Sequence, residues 1–177
     1  MKFVTRFILA FLIFSLNFDR EGHAALNSGD VATPLYVQNF SVSGQATRPR
    51  GITFNNDGSK MYIIGTGSDA VHEFNLTTNF NVESFSFSQS FSVSAQELSP
   101  TQVKFNNDGS KMFIVGGNTD QVEEYILTKS FDISTATHES SFNIGTEEAT
   151  AYGLDFSTDG KMMYVSGLTS AKYTNIH

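Results

Sequence analysis

The chain has 177 residues, room for one domain of ordinary size, and no cysteine, which excludes disulfide staples, thiolate metal sites and cysteine nucleophiles. Its 11 Lys and Arg against 18 Asp and Glu give a formal net charge of -7, the wrong balance for a nucleic-acid binder, whose affinity rests on cationic side chains. Phe is abundant at 17 residues and Trp is absent, and with frequent Ser, Thr, Asn and Gly this composition fits many short strands joined by turns.

The N-terminus reads as a secretory signal peptide over residues 1–24. Lys2 and Arg6 precede an apolar run, Phe7–Leu16, that is too short to span a bilayer of about 30 Å. A polar stretch and the small-residue site Gly22-His23-Ala24 follow in the order an export signal requires. Cleavage after Ala24 would leave residues 25–177, destined for the periplasm or the extracellular space, with no membrane span.

That remainder is repetitive. FNNDGSKM at Phe54–Met61 recurs unchanged at Phe105–Met112, and a looser copy, FSTDGKMM, occupies Phe156–Met163, each 51 residues after the last. Phe40, Phe91 and Phe142 keep the same step, as do Gly65, Gly116 and Gly167. An unbroken period means one structural unit used repeatedly.

Each unit reads as four strands. The first is Gly51–Asn55, Gln102–Asn106 or Tyr152–Ser157. An Asp-Gly hairpin follows at 57–58, 108–109 and 159–160, because Gly accepts positive φ and Asp tolerates the turn. The second strand, KMYII, KMFIV or KMMYV, is apolar on both faces and so expected to be covered on both. A turn, TGSD or GNTD, leads to a third strand, AVHEFNL or QVEEYIL, and a longer connection carries Phe80 or Phe131. The fourth alternates, which predicts Phe85, Phe87, Phe91 and Val93 on one face and Ser86, Ser88, Ser90 and Ser92 on the other.

Four antiparallel strands repeated at this length predict an all-β fold of β-propeller blades. FNNDGSKMYIIG, FNNDGSKMFIVG and FSTDGKMMYVSG resemble the F-S-P-D-G-K-x-x-Y-V hairpin of bacterial YVTN-type and TolB-like propellers, a group that includes lactonase-like propellers. The resemblance covers nearly all of residues 36–170. It implies the fold and says little of function. Asn56, Asn107 and Thr158 stand where those repeats often carry Pro, a departure that leaves the turn intact.

The blade count does not close. A lone fourth strand, Tyr36–Ser43, is followed by two full blades and a third that ends after two strands and a divergent third strand, Lys172–Ile176. About three blades' worth of chain cannot surround an axis. Three explanations stand: two chains form a six-bladed ring, the chain is a truncated piece of a longer propeller, or it is an open stack.

Chemistry in a propeller gathers at the innermost strands and the loops that enter them. The polar candidates there are Arg48, Arg50, Glu97, Lys104, Glu147, Glu148, Tyr152 and Asp155, of which Glu147, Glu148 and Asp155 form the only local carboxylate cluster. Arg50 matches Thr101 and Tyr152, and Thr53 matches Lys104 and Asp155, so these positions vary within a regular scaffold. His72 and His138 fall at different repeat positions and, like the turn aspartates, lack metal-ligand spacing. No cofactor or metal is expected. These features predict a binding module for an extracellular protein or glycan, with self-association through bare blade faces. A lactonase-like hydrolase and a nonfunctional fragment are the alternatives.

Overall fold

The computed structural model describes residues 39–168 and the backbone of residues 173–176. The expected signal peptide, residues 1–24, lies outside them. Among the described residues the strands form three antiparallel sheets, taken in chain order. The first holds β1 (Arg48–Phe54), β2 (Lys60–Thr66), β3 (Ala70–Leu76) and β4 (Phe85–Ser92). The second holds β5 (Pro100–Phe105), β6 (Lys111–Gly116), β7 (Gln121–Leu127) and β8 (Ala136–Asn143). The third holds β9 (Ala151–Phe156), β10 (Met163–Gly167) and β11 (Tyr173–Ile176).

The hairpins form where the repeated Asp-Gly places them. Gly58, Gly109 and Gly160 take φ of 72°, 70° and 70°, a region open to glycine without strain. The Asp57 carboxylate accepts the Ser59 amide at 2.9 Å and its hydroxyl at 2.7 Å, and Asp108 does the same with Ser110. Hydroxyl hydrogen bonds from Ser59, Ser110 and Ser157 hold the three turn carboxyls below the ordinary range. β1 ends at Phe54 rather than Asn55 because the Asn55 side chain has left the ladder and accepts from the Lys60 amide at 2.8 Å.

The fourth strand departs from the expected alternation. Glu73 pairs with Gln89 but Phe74 pairs with Phe87, so Ser88 bulges out of the ladder and the faces exchange there. Phe85 and Phe87 meet Phe74 on one face, at ring distances of 5.7 Å each. Phe91 lies on the other and meets Tyr125 of the second sheet at 5.5 Å. β8 repeats the bulge at Glu139, between the pairs Glu124–Ser140 and Tyr125–His138.

The sheets stack face to face, with β5 against β1 and β2, and β9 against β5 and β6. Tyr62, Ile64 and Val71 of the first sheet share a core with Val103, Met112, Ile114, Tyr125 and Leu127 of the second. Val115 and Val122 share another with Leu154 and Val165 of the third. Hairpin tips are tied across the stack by two amides one repeat apart: Asn56 Nδ2 donates to the Asn107 carbonyl at 2.6 Å and Asn107 Nδ2 to the Thr158 carbonyl at 2.9 Å. This gives the residue that replaces Pro a role of its own, one that Thr158 cannot repeat because it has no side-chain amide.

The outer face of the first sheet carries Met61, Ile63, Phe74 and Leu76, with Phe40, Val42 and Ala46 packed on it. The lone fourth strand expected at Tyr36–Ser43 is corrected within the described residues: residues 39–43 form no strand. Their bonds are local, with the Gln45 and Ala46 amides donating to the Val42 carbonyl at 2.9 and 2.8 Å. Phe40 and Val42 nonetheless occupy, one repeat earlier, the places of Phe91 and Val93 against the second sheet.

Candidate functional site

β1, β5 and β9 run side by side as the inner strands, and one repeat position on them carries Thr53, Lys104 and Asp155. All three line a groove of about 590 Å³ between the second and third sheets. Lys104 Nζ lies 3.2 Å from Asp155 Oδ1, with side-chain exposures of 28% and 70%, so this ion pair faces solvent. Phe113 and Phe156 are among its lining, their rings 4.7 Å apart and tilted by 48°. Asp108 and Asp159 stand at the rim, each engaged by its own turn.

The other candidates scatter. Arg48 and Arg50 are exposed on β1, and Arg50 lines a separate hollow of about 260 Å³ with Phe40, Pro49 and Ile52. Tyr152 is exposed on β9. Glu148 is buried, accepts the Thr150 amide at 3.1 Å and packs its side chain on Gly167. Glu97, one repeat earlier, is likewise buried; it accepts the Ser99 amide at 2.7 Å and the Thr119 hydroxyl at 2.9 Å, and packs on Gly116. These two glutamates brace their loops, and Glu148, expected among the channel residues, lies buried. Glu147 is exposed beside the Thr146 hydroxyl. Among the described residues no three His, Asp or Glu side chains gather as metal ligands would. Glu147, Glu148 and Asp155 therefore do not assemble into one carboxylate site.

Solved structures share this arrangement. A Bacteroides uniformis protein provisionally named a 6-phosphogluconolactonase matches with a TM-score of 0.56 at 15% identity, over 72% of this chain and 36% of its own. The periplasmic gluconolactonase PpgL of Pseudomonas aeruginosa matches at 0.53 and 17%, over 72% of this chain and 34% of its own. Hydrazine synthase of Kuenenia stuttgartiensis matches at 0.52 and 20%, over 75% and 32%. The chain thus spans about a third of the length of these proteins. No protein-family model and no curated protein matches it. Likeness at such identities speaks for the fold. The three sheets are blades of a β-propeller.

Where the first two blades meet, a charged cluster closes the junction. Glu73 is 1% exposed; its Oε1 receives Lys60 Nζ at 2.8 Å, and its Oε2 receives Gln89 Nε2 at 2.8 Å and the Ile133 amide at 3.4 Å. Lys60 Nζ and the Tyr62 hydroxyl both donate to the Phe131 carbonyl, at 3.0 and 2.6 Å. Gln89 also donates to Asp132, at 2.9 Å. Burial, with Glu73 nearby, pushes the Tyr62 hydroxyl pKa up, and hydrogen bonds from Ser134 and Gln89 hold the Asp132 carboxyl well below its usual range. The second blade's connection Phe131–Ile133 is thereby pinned into the first blade. Sequence reasoning missed this cluster; its signal was the pair Lys60 and Glu73 returning as Lys111 and Glu124.

The histidines face a different polar node. His72 is buried between the Ser68 hydroxyl at 2.9 Å and the Ser90 hydroxyl at 2.7 Å, and burial pushes its pKa down. At the matching node of the second blade Glu123 takes its place and His138 approaches from β8. His138 Nε2 and the Ser141 hydroxyl both reach Glu123 Oε2, at 2.9 and 2.6 Å. A hydrolytic relay needs the acid on the ring nitrogen opposite the serine. Here acid and serine share one nitrogen, so the trio cannot pass a proton from serine through an oriented histidine.

Proposed function

We propose that this chain is a secreted propeller repeat protein that works as a binding or scaffold module for a polar partner, a glycan or a protein segment. The observation that carries this reading is the one inner-strand position that breaks the repeat. Thr53, Lys104 and Asp155 differ in charge while the surrounding scaffold repeats, and the charged pair lines a groove with aromatic side chains. An aromatic face edged by a cation and an anion suits a sugar ring or a polar side chain. Screening the chain on a glycan array tests it. We expect retained glycans whose binding drops at least tenfold in Lys104→Ala and Asp155→Ala. Binding that survives both substitutions would move the site elsewhere. The order of charge, apolar run and small residues at the N-terminus supports export; a secreted chain beginning at Ala25 is the expected mass-spectrometric result, and one that retains Met1 would overturn it.

A second reading, a lactonase-like hydrolase, draws support from the names of two similar structures. The dispersed carboxylates weigh against it. Metal-dependent hydrolysis of sugar lactones by the chain would favour this reading over the first.

A further inference from the structure

An Asp-Gly hairpin is a chemical liability as well as a turn. The glycine nitrogen can attack the aspartate Cγ; a C–N bond forms, the carboxyl hydroxyl leaves as water with the amide proton, and a succinimide results. Water then reopens that ring at either carbonyl and gives aspartate or isoaspartate. The step consumes nothing but water. It needs a protonated carboxyl, a carboxyl carbon free to swing back, and a glycine nitrogen free to turn toward it. At Asp108-Gly109 the isoaspartate would reroute the backbone beside the Asn107 carbonyl, which accepts the Asn56 amide at 2.6 Å and ties the first two blades.

At the first two hairpins each requirement is opposed. The Asp57 and Asp108 carboxylates are turned forward onto the Ser59 and Ser110 amides, both at 2.9 Å. Hydrogen bonds from the hydroxyls of the same serines keep both carboxyls ionised, below the ordinary range. The Gly58 and Gly109 amides donate to the Asn55 and Asn106 carbonyls, both at 3.1 Å. The glycine carbonyls in turn accept the Phe80 and Phe131 amides, at 2.9 and 3.0 Å. The rings of these two phenylalanines then lie on the glycines themselves: a Cβ at Gly58 or at Gly109 would stand 2.3 Å from the ring. Each glycine is thus held at its nitrogen, at its carbonyl and over its Cα, by groups of its own blade.

The phenylalanines hold this place against a local preference. Phe80 and Phe131 sit at φ of 60° and 57°, a strained region for a bulky side chain and one that glycine enters freely. Burial does not account for Phe80, which is 56% exposed. The Phe131 carbonyl receives Lys60 and Tyr62, but any residue would supply that carbonyl, so the ring has a reason of its own. Besides the glycines the rings pack on Phe54 and Phe105, at 5.6 and 5.5 Å. The residues just before them, Thr78-Asn79 and Lys129-Ser130, change between blades while the phenylalanine stays. We propose that Asp57-Gly58 and Asp108-Gly109 are latent isoaspartate sites and that Phe80 and Phe131 are the lids that keep them closed. The strain at each phenylalanine is the cost of laying an aromatic ring on the one residue whose movement starts the reaction.

Glycine at the lid position supplies the test, because it removes the ring, relieves the strain and leaves the amide and carbonyl in place. The unaltered chain, Phe80→Gly and Phe131→Gly are aged at neutral pH and body temperature, and isoaspartate at each hairpin is followed by peptide mapping with mass spectrometry. Phe131→Gly should speed isomerisation at Asp108 about fivefold and leave Asp57 at its unaltered rate; Phe80→Gly should do the reverse. Unchanged rates, or equal rises at both hairpins in either variant, would overturn the proposal, the second because it reports general loosening. If the variants do not fold, the unaltered chain decides against the free peptide Phe105–Met112. Asp108 should isomerise at least about tenfold more slowly in the chain than in the peptide, and equal rates would overturn the proposal.

Discussion

The two blade junctions are built from the same sequence and differ in one respect. At the first, Phe131–Ile133 enters the preceding blade and Glu73 is sealed among Lys60, Gln89 and a backbone amide. At the second, Lys111 and Glu124 pair with each other and face solvent. A buried carboxylate is tolerable only when each of its acceptor sites is answered. The Lys60–Glu73 pair is thus half of a device whose other half, Phe131–Ile133, comes from the next blade.

Breaking the two glutamates separately should give the largest contrast. Glu73→Ala strands Lys60, Gln89 and the Ile133 amide in a closed junction and should cost about 3–5 kcal/mol in urea unfolding. Glu124→Ala removes a solvent-facing pair and should cost about 1 kcal/mol or less at low protein concentration. Equal costs would mean that the junctions do not differ as described.

The hairpin glycines sharpen the same contrast. Gly109→Ala must enter a left-handed conformation and also displace the Phe131 ring, for a loss of about 3 kcal/mol. Gly160→Ala meets only the conformational cost, about 1 kcal/mol. Thermal unfolding of the two variants measures the difference. The asparagine ties come next: Asn56→Ala and Asn107→Ala should each lose about 0.5–1 kcal/mol, one net hydrogen bond.

The smallest effect is expected from pH. Burial lowers the His72 pKa, so the folded chain favours the neutral ring and the unfolded chain takes up the proton first as pH falls. Its contribution is fully present above the unfolded value of about 6.5 and is lost as pH falls through the folded value. The urea midpoint should fall between pH 7 and 5, and His72→Gln should flatten that part of the profile. Asp132, depressed by the hydroxyl of Ser134, adds a loss only below about pH 4.

Much of the fold was legible because the repeat is written in residues with strong local preferences. Asp-Gly set each hairpin, and KMYII and KMFIV announced strands covered on both sides. The bulge at Ser88 was not legible: Phe and Ser alternate straight through it, and only pairing with β3 shows that the faces exchange there. Of the site, Lys104 and Asp155 were found as inner-strand polar residues and do meet. The burial of Glu148 was not legible, because a buried loop brace and an exposed ligand carry the same side chain. Glu73 was passed over because its partners, Gln89 and Ile133, lie on other strands and in the next blade, where no local pattern connects them.

The difference between the two junctions is tested most directly by hydrogen exchange of the Ile133 amide, which donates to Glu73 across the first junction. It should exchange slowly in the unaltered chain and in Glu124→Ala, and much faster in Glu73→Ala. Exchange of that amide that Glu73→Ala leaves unchanged would contradict the account.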